Sequence, residues 1–205
     1  MTLYKEGSRG EMVKQIQKVV KAYPDGVWGT LTTEAVKTWQ KAHGLTADGI
    51  VGPATLAKMF PSLAGLKKST RSITEIIVHC SATAEGKDYT VEDIRRWHKA
   101  QGWSDIGYHY VVYRDGSIHD GRDVNISGAH CTGHNSHSIG VCYIGGVATD
   151  GKTPKDTRTE RQKAALLSLL LDLKKLYPGA SIHGHRDYAN KACPSFDATK
   201  EYKRL

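Results

Sequence analysis

Residues 159–185 read TERQKAALLSLLLDLKKLYPGASIHGH. Thr159 followed three residues later by Gln162 is a capping-box pattern that opens a helix. Leu166, Leu169, Leu170, Leu173 and Leu176 then recur at the helical period, giving the helix one apolar side. Pro178-Gly179 stops it, and Ser181 to His185 resume as a strand. A long amphipathic helix running directly into a strand is the building unit of an α/β layer. The flanking sequence repeats this alternation. Ile73 to Cys80 reads as a buried strand. Thr90 with Asp93 caps a helix carrying Val91, Ile94 and Trp97 on one side. Tyr108 to Tyr113 is β-rich, and Arg114-Asp115-Gly116-Ser117 turns it into a returning strand. Ser138 to Ile144 is a further strand ended by Gly145-Gly146, and Asp197 caps a terminal helix. The pattern predicts an α/β domain over 73–205, with a mixed central β-sheet flanked by helices.

The first 60 residues are organised differently. Asp25-Gly26-Val27-Trp28-Gly29-Thr30-Leu31-Thr32 returns 23 residues later as Asp48-Gly49-Ile50-Val51-Gly52-Pro53-Ala54-Thr55. Asp-Gly favours a tight turn because glycine accepts positive φ. Three short helices are expected around these turns. One is opened by Ser8 with Glu11 as a capping box and carries Met12, Val13, Ile16, Val19 and Val20. A second opens at Thr32 with Ala35, Val36 and Trp39 inward and ends near Gly44. A third covers Thr55 to Met59. Residues 1–60 therefore read as a small N-terminal three-helix domain with a minimal core. Residues 61–72, within the aperiodic stretch FPSLAGLKKSTRS, read as a linker.

The chain has 205 residues, 39% of them hydrophobic and 24% charged, which supports a folded core and argues against disorder. The charge-free run in the leucine-rich segment, Ala164 to Leu171, is far short of the roughly 20 apolar residues that span a bilayer. The first residues lack the apolar core of a secretory signal. Stable membrane insertion is not expected. A net charge of +8 favours anionic polymers, nucleic acid or acidic wall among them. No nucleic-acid recognition motif accompanies it, so nucleic acid is not expected as a partner. The four cysteines, at 80, 131, 142 and 193, are widely spaced and read as reduced.

Ten histidines make metal chemistry worth testing residue by residue. His79 ends the hydrophobic strand Ile-Ile-Val-His-Cys, where a polar group must be satisfied. His183 and His185 flank Gly184 at the end of another strand, and alternation puts both on one face, so position alone leaves the choice between them open. Two imidazoles with the Cys193 thiolate would give zinc three protein ligands and an open fourth position, as in catalytic sites. Isolated core histidines and a buried thiol are the competing reading.

Six strings bear on that choice: Val-His-Cys-Ser-Ala-Thr at 78–83, Trp-His-Lys-Ala-Gln-Gly-Trp at 97–103, Gly-Tyr-His-Tyr at 107–110, Arg-Asp-Gly at 114–116, Ser-Ile-Gly-Val-Cys at 138–142 and Lys-Ala-Cys-Pro-Ser-Phe-Asp at 191–197. In this order, over about 73–200, they resemble the phage-lysozyme type of zinc-dependent N-acetylmuramoyl-L-alanine amidase, a family that includes the peptidoglycan recognition proteins. Residues 3–59 resemble a peptidoglycan-binding module through the doubled Asp-Gly-x-x-Gly-x-x-Thr pattern.

The resemblance implies His79, His185 and Cys193 as ligands of Zn2+, and Tyr108 and Lys191 as catalytic residues. It resolves the choice at 183 and 185 in favour of His185. His130, in a Gly/Ser-rich stretch with His134 and His137, is the candidate for substrate contact or for support of a ligand from behind. His109 is expected on the face opposite Tyr108, and Trp28 in the core of the small domain. The implied activity is hydrolysis of the amide between N-acetylmuramic acid and L-alanine of the stem peptide. The two-module order resembles an endolysin: a monomer with bacterial peptidoglycan as its partner, built up in the host cytoplasm and reaching the wall after the membrane opens. A non-catalytic wall-binding protein and a zinc peptidase cutting within the stem are the rivals.

Overall fold

Six residues, Glu75–Cys80, form β1, and Ile76, Ile77 and Val78 within it are fully buried. Burial on both faces is the signature of a central parallel strand. The computed structural model describes residues 3–59 and 66–205, and the chain divides into two compact units within 1–62 and 63–205. In the larger unit, β1 lies between β5 (Ser138–Tyr143) and β7 (Ser181–Gly184), parallel to both. Beyond β5 come β3 (Tyr110–Val112), parallel to it, and β4 (Ile118–Asp120), antiparallel to β3. The sheet order is β4-β3-β5-β1-β7, the mixed sheet that the alternating pattern predicts. A separate two-stranded pair joins β2 (Thr83–Ala84) to β6 (Gly146–Val147).

The helices connect these strands. Helix α4 (Val91–Ala100) links β1 to β3, and Thr90 and Asp93 close the capping box reciprocally. Helix α5 (Glu160–Leu176) links β5 to β7 and is capped by Thr159 and Gln162 in the same way. Leu166, Leu169, Leu170 and Leu173 are fully buried. Gln162 is buried as well: its Nε2 donates to the carbonyls of Val112 at 3.2 Å and Ile144 at 2.9 Å, pinning the start of α5 to the ends of β3 and β5. The terminal helix α6 (Ala198–Glu201) is capped by Asp197, which accepts from the Lys200 amide. No helix of the described residues is long and apolar enough to cross a membrane.

The smaller unit holds α1 (Glu11–Val19), α2 (Thr30–Ala42) and α3 (Pro53–Met59). All three expected helix starts are displaced, α3 beginning at Pro53 and not at Thr55. Gly10, not Ser8, is the N-cap of α1; the Ser8 hydroxyl instead accepts from the Lys5 amide at 3.0 Å. Gly29, not Thr32, is the N-cap of α2, and Thr32 lies buried one turn inside. At Thr32 and Thr55 the reason is a pair of buried glutamines. Gln17 Nε2 donates to Asp25 Oδ1, the Val27 carbonyl and Thr32 Oγ1, while its Oε1 accepts from the Gly26 amide. Gln40 repeats the set with Asp48 Oδ1, the Ile50 carbonyl, Thr55 Oγ1 and the Gly49 amide. Each threonine of the repeat thus serves a glutamine and not a helix end. Trp28 is 1% exposed, in the core as expected, with Nε1 donating to Thr33 Oγ1 at 3.0 Å.

The expected linker also needs correcting. Residues 60–65 lie outside the described part, but residues 69–72 do not behave as a spacer. Ser69 is buried, its amide donates to the Tyr177 hydroxyl at 2.6 Å, and its hydroxyl donates to the Val124 carbonyl at 2.7 Å. Arg71 donates to the carbonyls of Val124, Asn135, Ser136 and Ser138. This segment belongs structurally to the larger unit. All four cysteines are free thiols.

Candidate metal centre and active site

The carboxyl ends of parallel strands are where an α/β sheet opens for ligands, and His79 stands at that end of β1. His185 and Cys193 come from the chain just beyond β7. The strand stops at Gly184, and His185 begins a 3-10 turn, His185–Asp187. That change of conformation ends the alternation that makes 183 and 185 look equivalent in sequence. His183 Nε2 pairs with Ser181 Oγ at 2.9 Å, whereas His185 packs against His79 with ring centroids 4.6 Å apart. The ligand atoms of His79, His185 and Cys193 all lie within 4.8 Å of one another.

The loop carrying Cys193 is tied down on several sides. The Arg186 amide donates to the Cys193 carbonyl at 2.7 Å, and the Tyr143 hydroxyl donates to the Pro194 carbonyl at 2.7 Å. Ser195 Oγ donates to the Gly146 carbonyl at 2.7 Å. The Cys80 amide donates to Cys193 Sγ at 3.3 Å, a contact that favours negative charge on that sulfur. Gly146 is required beside it, since a Cβ there would lie 2.3 Å from Cys80 Sγ and its φ is +105°. Without a cation, the hydrogen bond with the Cys80 side chain and then burial push the Cys193 thiol well above its ordinary value.

His79 is 1% exposed. Burial, followed by the nearby His130, His185 and Lys191, holds its pKa well below 6.5, so the ring is neutral and ligand-competent. A chain of hydrogen bonds fixes which nitrogen is free. The single hydroxyl proton of Ser138 goes to the His134 carbonyl at 2.8 Å. Ser138 Oγ therefore accepts from His130 Nε2 at 3.3 Å, which leaves His130 Nδ1 as an acceptor. His79 Nε2 donates to that Nδ1 at 3.0 Å. The lone pair of His79 is thus on Nδ1, the nitrogen 3.8 Å from Cys193 Sγ. Burial, then Lys191, also lowers the pKa of His185.

Of the two roles open to His130, substrate contact or support of a ligand, the placement favours the second: it is buried with both ring nitrogens engaged by protein, one of them by His79. Gly128 and Gly140 leave it no slack: a Cβ at either would lie 2.4 Å or 2.5 Å from His130 Cδ2. Tyr108 lies just before β3, its ring 5.1 Å from His79 and 5.5 Å from His98. Burial pushes its phenol well above 10, so the group is a proton donor at neutral pH. Lys191 is exposed, close enough to disfavour protonation of both His79 and His185. His109 meets His130 edge-on with ring centroids 5.7 Å apart, and its Nδ1 accepts from the Gly140 amide at 2.9 Å.

Residues 69–196 match the N-acetylmuramoyl-L-alanine amidase family. The chain belongs to that family. A further match over residues 9–59 is to a putative peptidoglycan binding domain. The endolysin of Klebsiella phage KP32 is 47% identical over 131 residues, covering 64% of this chain and 86% of the relative. The endolysin of Escherichia phage T7 is 44% identical over 137 residues, covering 67% and 90%. The solved N-acetylmuramoyl-L-alanine amidase LysC from Clostridium intestinale superposes with a TM-score of 0.55 at 26% identity, covering 68% of this amidase and 91% of that chain.

Proposed function

We propose that this amidase is a phage-type endolysin that hydrolyses the amide between the lactyl group of N-acetylmuramic acid and L-alanine of the stem peptide, and that it depends on zinc. The observation that carries the zinc reading is the convergence of His79, His185 and Cys193 at the open end of the sheet. The donor set fits the ion: two neutral imidazoles and a thiol that receives a backbone N–H, with three ligands where a structural zinc would take four. The chemistry such an ion supplies is Lewis-acid activation of water and of the scissile carbonyl.

The protein's own groups do the rest. His130 and Ser138 hold His79 in the tautomer that presents Nδ1 to the centre. The ammonium of Lys191 places positive charge where the oxyanion of the tetrahedral intermediate develops. The Tyr108 hydroxyl, kept protonated by burial, donates a hydrogen bond at the same centre. Water oxygen adds to the carbonyl carbon, the C–N bond breaks, and the stem amine leaves with a proton. The small module, through its match to a peptidoglycan binding domain, would keep the enzyme on an insoluble polymer and raise its local concentration. The endolysin relatives support accumulation in the host cytoplasm and access to the wall after the membrane opens.

Mass analysis of digested muropeptides tests the reading. Intact stem peptides released from glycan, with product formation lost on chelation and restored by zinc, are the expected result. Shortened peptides still attached to sugar would overturn the amidase assignment in favour of a peptidase. Walls left intact with zinc present would favour a binding protein.

A further inference from the structure

A second group of metal-ligating side chains lies at the opposite end of β1. Glu75 opens the strand, four residues before His79, or about 13 Å away at roughly 3.3 Å per residue. His134 precedes and His137 ends the 3-10 turn Asn135–His137 that leads into β5, and Glu75 pairs in register with Ser138, the first residue of β5. The turn therefore brings both rings over one carboxylate. His134 Nδ1 lies 2.8 Å and His137 Nε2 3.5 Å from the same oxygen, Glu75 Oε2. The three ligand atoms are all within 4.8 Å of one another.

Each ligand is also held from behind, as metal ligands characteristically are. The Tyr188 hydroxyl donates to the other carboxylate oxygen, Glu75 Oε1, at 3.0 Å. The Tyr188 ring stacks on His134 with centroids 3.8 Å apart. Ser136 Oγ lies 3.2 Å from His137 Nδ1, which leaves Nε2 to face Glu75. One carboxylate oxygen can accept from both imidazoles as an ion pair. The same convergence, with the far nitrogen of His137 already engaged, also presents three ligand atoms to a cation.

We infer that Glu75, His134 and His137 form a second cation site, separate from the catalytic centre and selective for a divalent first-row transition ion of the zinc class. Two imidazoles with one carboxylate suit zinc, cobalt, nickel or copper, and not magnesium or calcium, which take oxygen donors. The side chains are 16%, 27% and 37% exposed, so the site is open to ions from solution. An ion there would join the start of β1, the 134–137 turn and, through Tyr188, the segment that carries His185. Its role would be to fasten this end of the sheet, with no part in the chemistry.

Equilibrium dialysis of the full chain against zinc alone, with metal analysis, tests the inference. The wild type should hold two equivalents. The His134→Ala/His137→Ala double variant should hold one and keep its wall-lytic activity. Glu75→Gln, which preserves shape and the Tyr188 contact, should weaken the second equivalent at least tenfold. Cys193→Ser should lose the other equivalent and its activity while keeping the one at Glu75. Equal zinc content in wild type, double variant and Glu75→Gln would overturn the second site. A Cys193→Ser protein that binds as much zinc as wild type would instead overturn the catalytic centre, so the two failures are told apart. Thermal stability gives an independent readout: zinc should raise the melting temperature of Cys193→Ser and leave that of Cys193→Ser/His134→Ala/His137→Ala unchanged.

Discussion

His79 and His130 are joined Nε2 to Nδ1 at 3.0 Å, and through that bond a residue 51 positions away sets the tautomer of a candidate metal ligand. Removing the acceptor frees His79 to present the wrong nitrogen. His130→Ala is expected to weaken zinc binding by about 10–100-fold, the usual range for loss of a partner that orients a ligand. His130→Asn, which can still accept, should recover part of the loss. Chelator competition measures the affinity, and nitrogen NMR of the metal-free protein reads the His79 tautomer directly. Gly140→Ala should act in the same direction, since its Cβ would fall 2.5 Å from His130 Cδ2.

In the proposed mechanism Lys191 and Tyr108 act on the developing charge and not on ion affinity. Lys191→Met and Tyr108→Phe are each expected to lower kcat by about 10²–10³-fold, the scale for loss of one oxyanion donor, with zinc content unchanged. Turnover on a soluble muropeptide, paired with metal analysis, checks both halves. A loss of zinc in step with the loss of activity would reassign these residues to ion binding.

In the small module, Gln40 satisfies four partners at once. Gln40→Ala leaves several of them unpaired in a buried setting, at a cost of about 1–3 kcal/mol per unsatisfied group. A core this small has little stability in reserve. Hydrogen exchange should show loss of protection at the Gly49 amide, which donates to Gln40 Oε1 at 2.9 Å. Amides of β1 and β5 should keep theirs.

Arg158 is buried and paired with Asp156 at 2.8 Å and Glu201 at 2.9 Å, and it packs over Phe196 at 3.3 Å. Arg158→Ala should destabilise the amidase unit by about 1–3 kcal/mol, because it leaves two partly exposed carboxylates without their hydrogen-bonded counter-charge and removes the packing on Phe196. The pH dependence has a definite sign. Burial raises the Asp156 carboxyl, but the hydrogen bond and charge of Arg158 outweigh that and leave its pKa below 3.8. A depressed carboxyl pKa contributes stability that is full above the unfolded value and is lost as pH falls through the folded one. Unfolding should therefore set in below about pH 4 at this locus, and Asp156→Asn should flatten that acid limb. Denaturant melts between pH 2 and pH 6 test it.

Local signals carried most of the fold. The capping boxes at Thr90 and Thr159, the leucine period of α5, the Pro178-Gly179 stop and the Asp-Gly turns each act within a few residues, so the sequence alone determined an α/β unit behind a small repeated helical one. Where a residue of a local motif had another partner, the local reading failed. Ser8 and Thr32 look like caps but serve other partners, and Ser69 to Ser72 look like spacer but pack on Tyr177 and Val124. One missed signal was present in the sequence: Gln17 and Gln40 recur at the same 23-residue offset as the turns they hold.

The site divides along the same line. Residue type pointed to His79, Cys193 and one of His183 and His185, because ligand chemistry restricts which side chains can serve, and the resemblance of the motifs named His185, Tyr108 and Lys191. The tertiary structure supplied the physical reason for His185 over His183, tied His130 to His79, and gathered Glu75, His134 and His137. Those outcomes depend on where β7 ends and on pairings between residues 51 to 113 positions apart. Such contacts are fixed by the packing of the whole sheet, and no short stretch of chain encodes them.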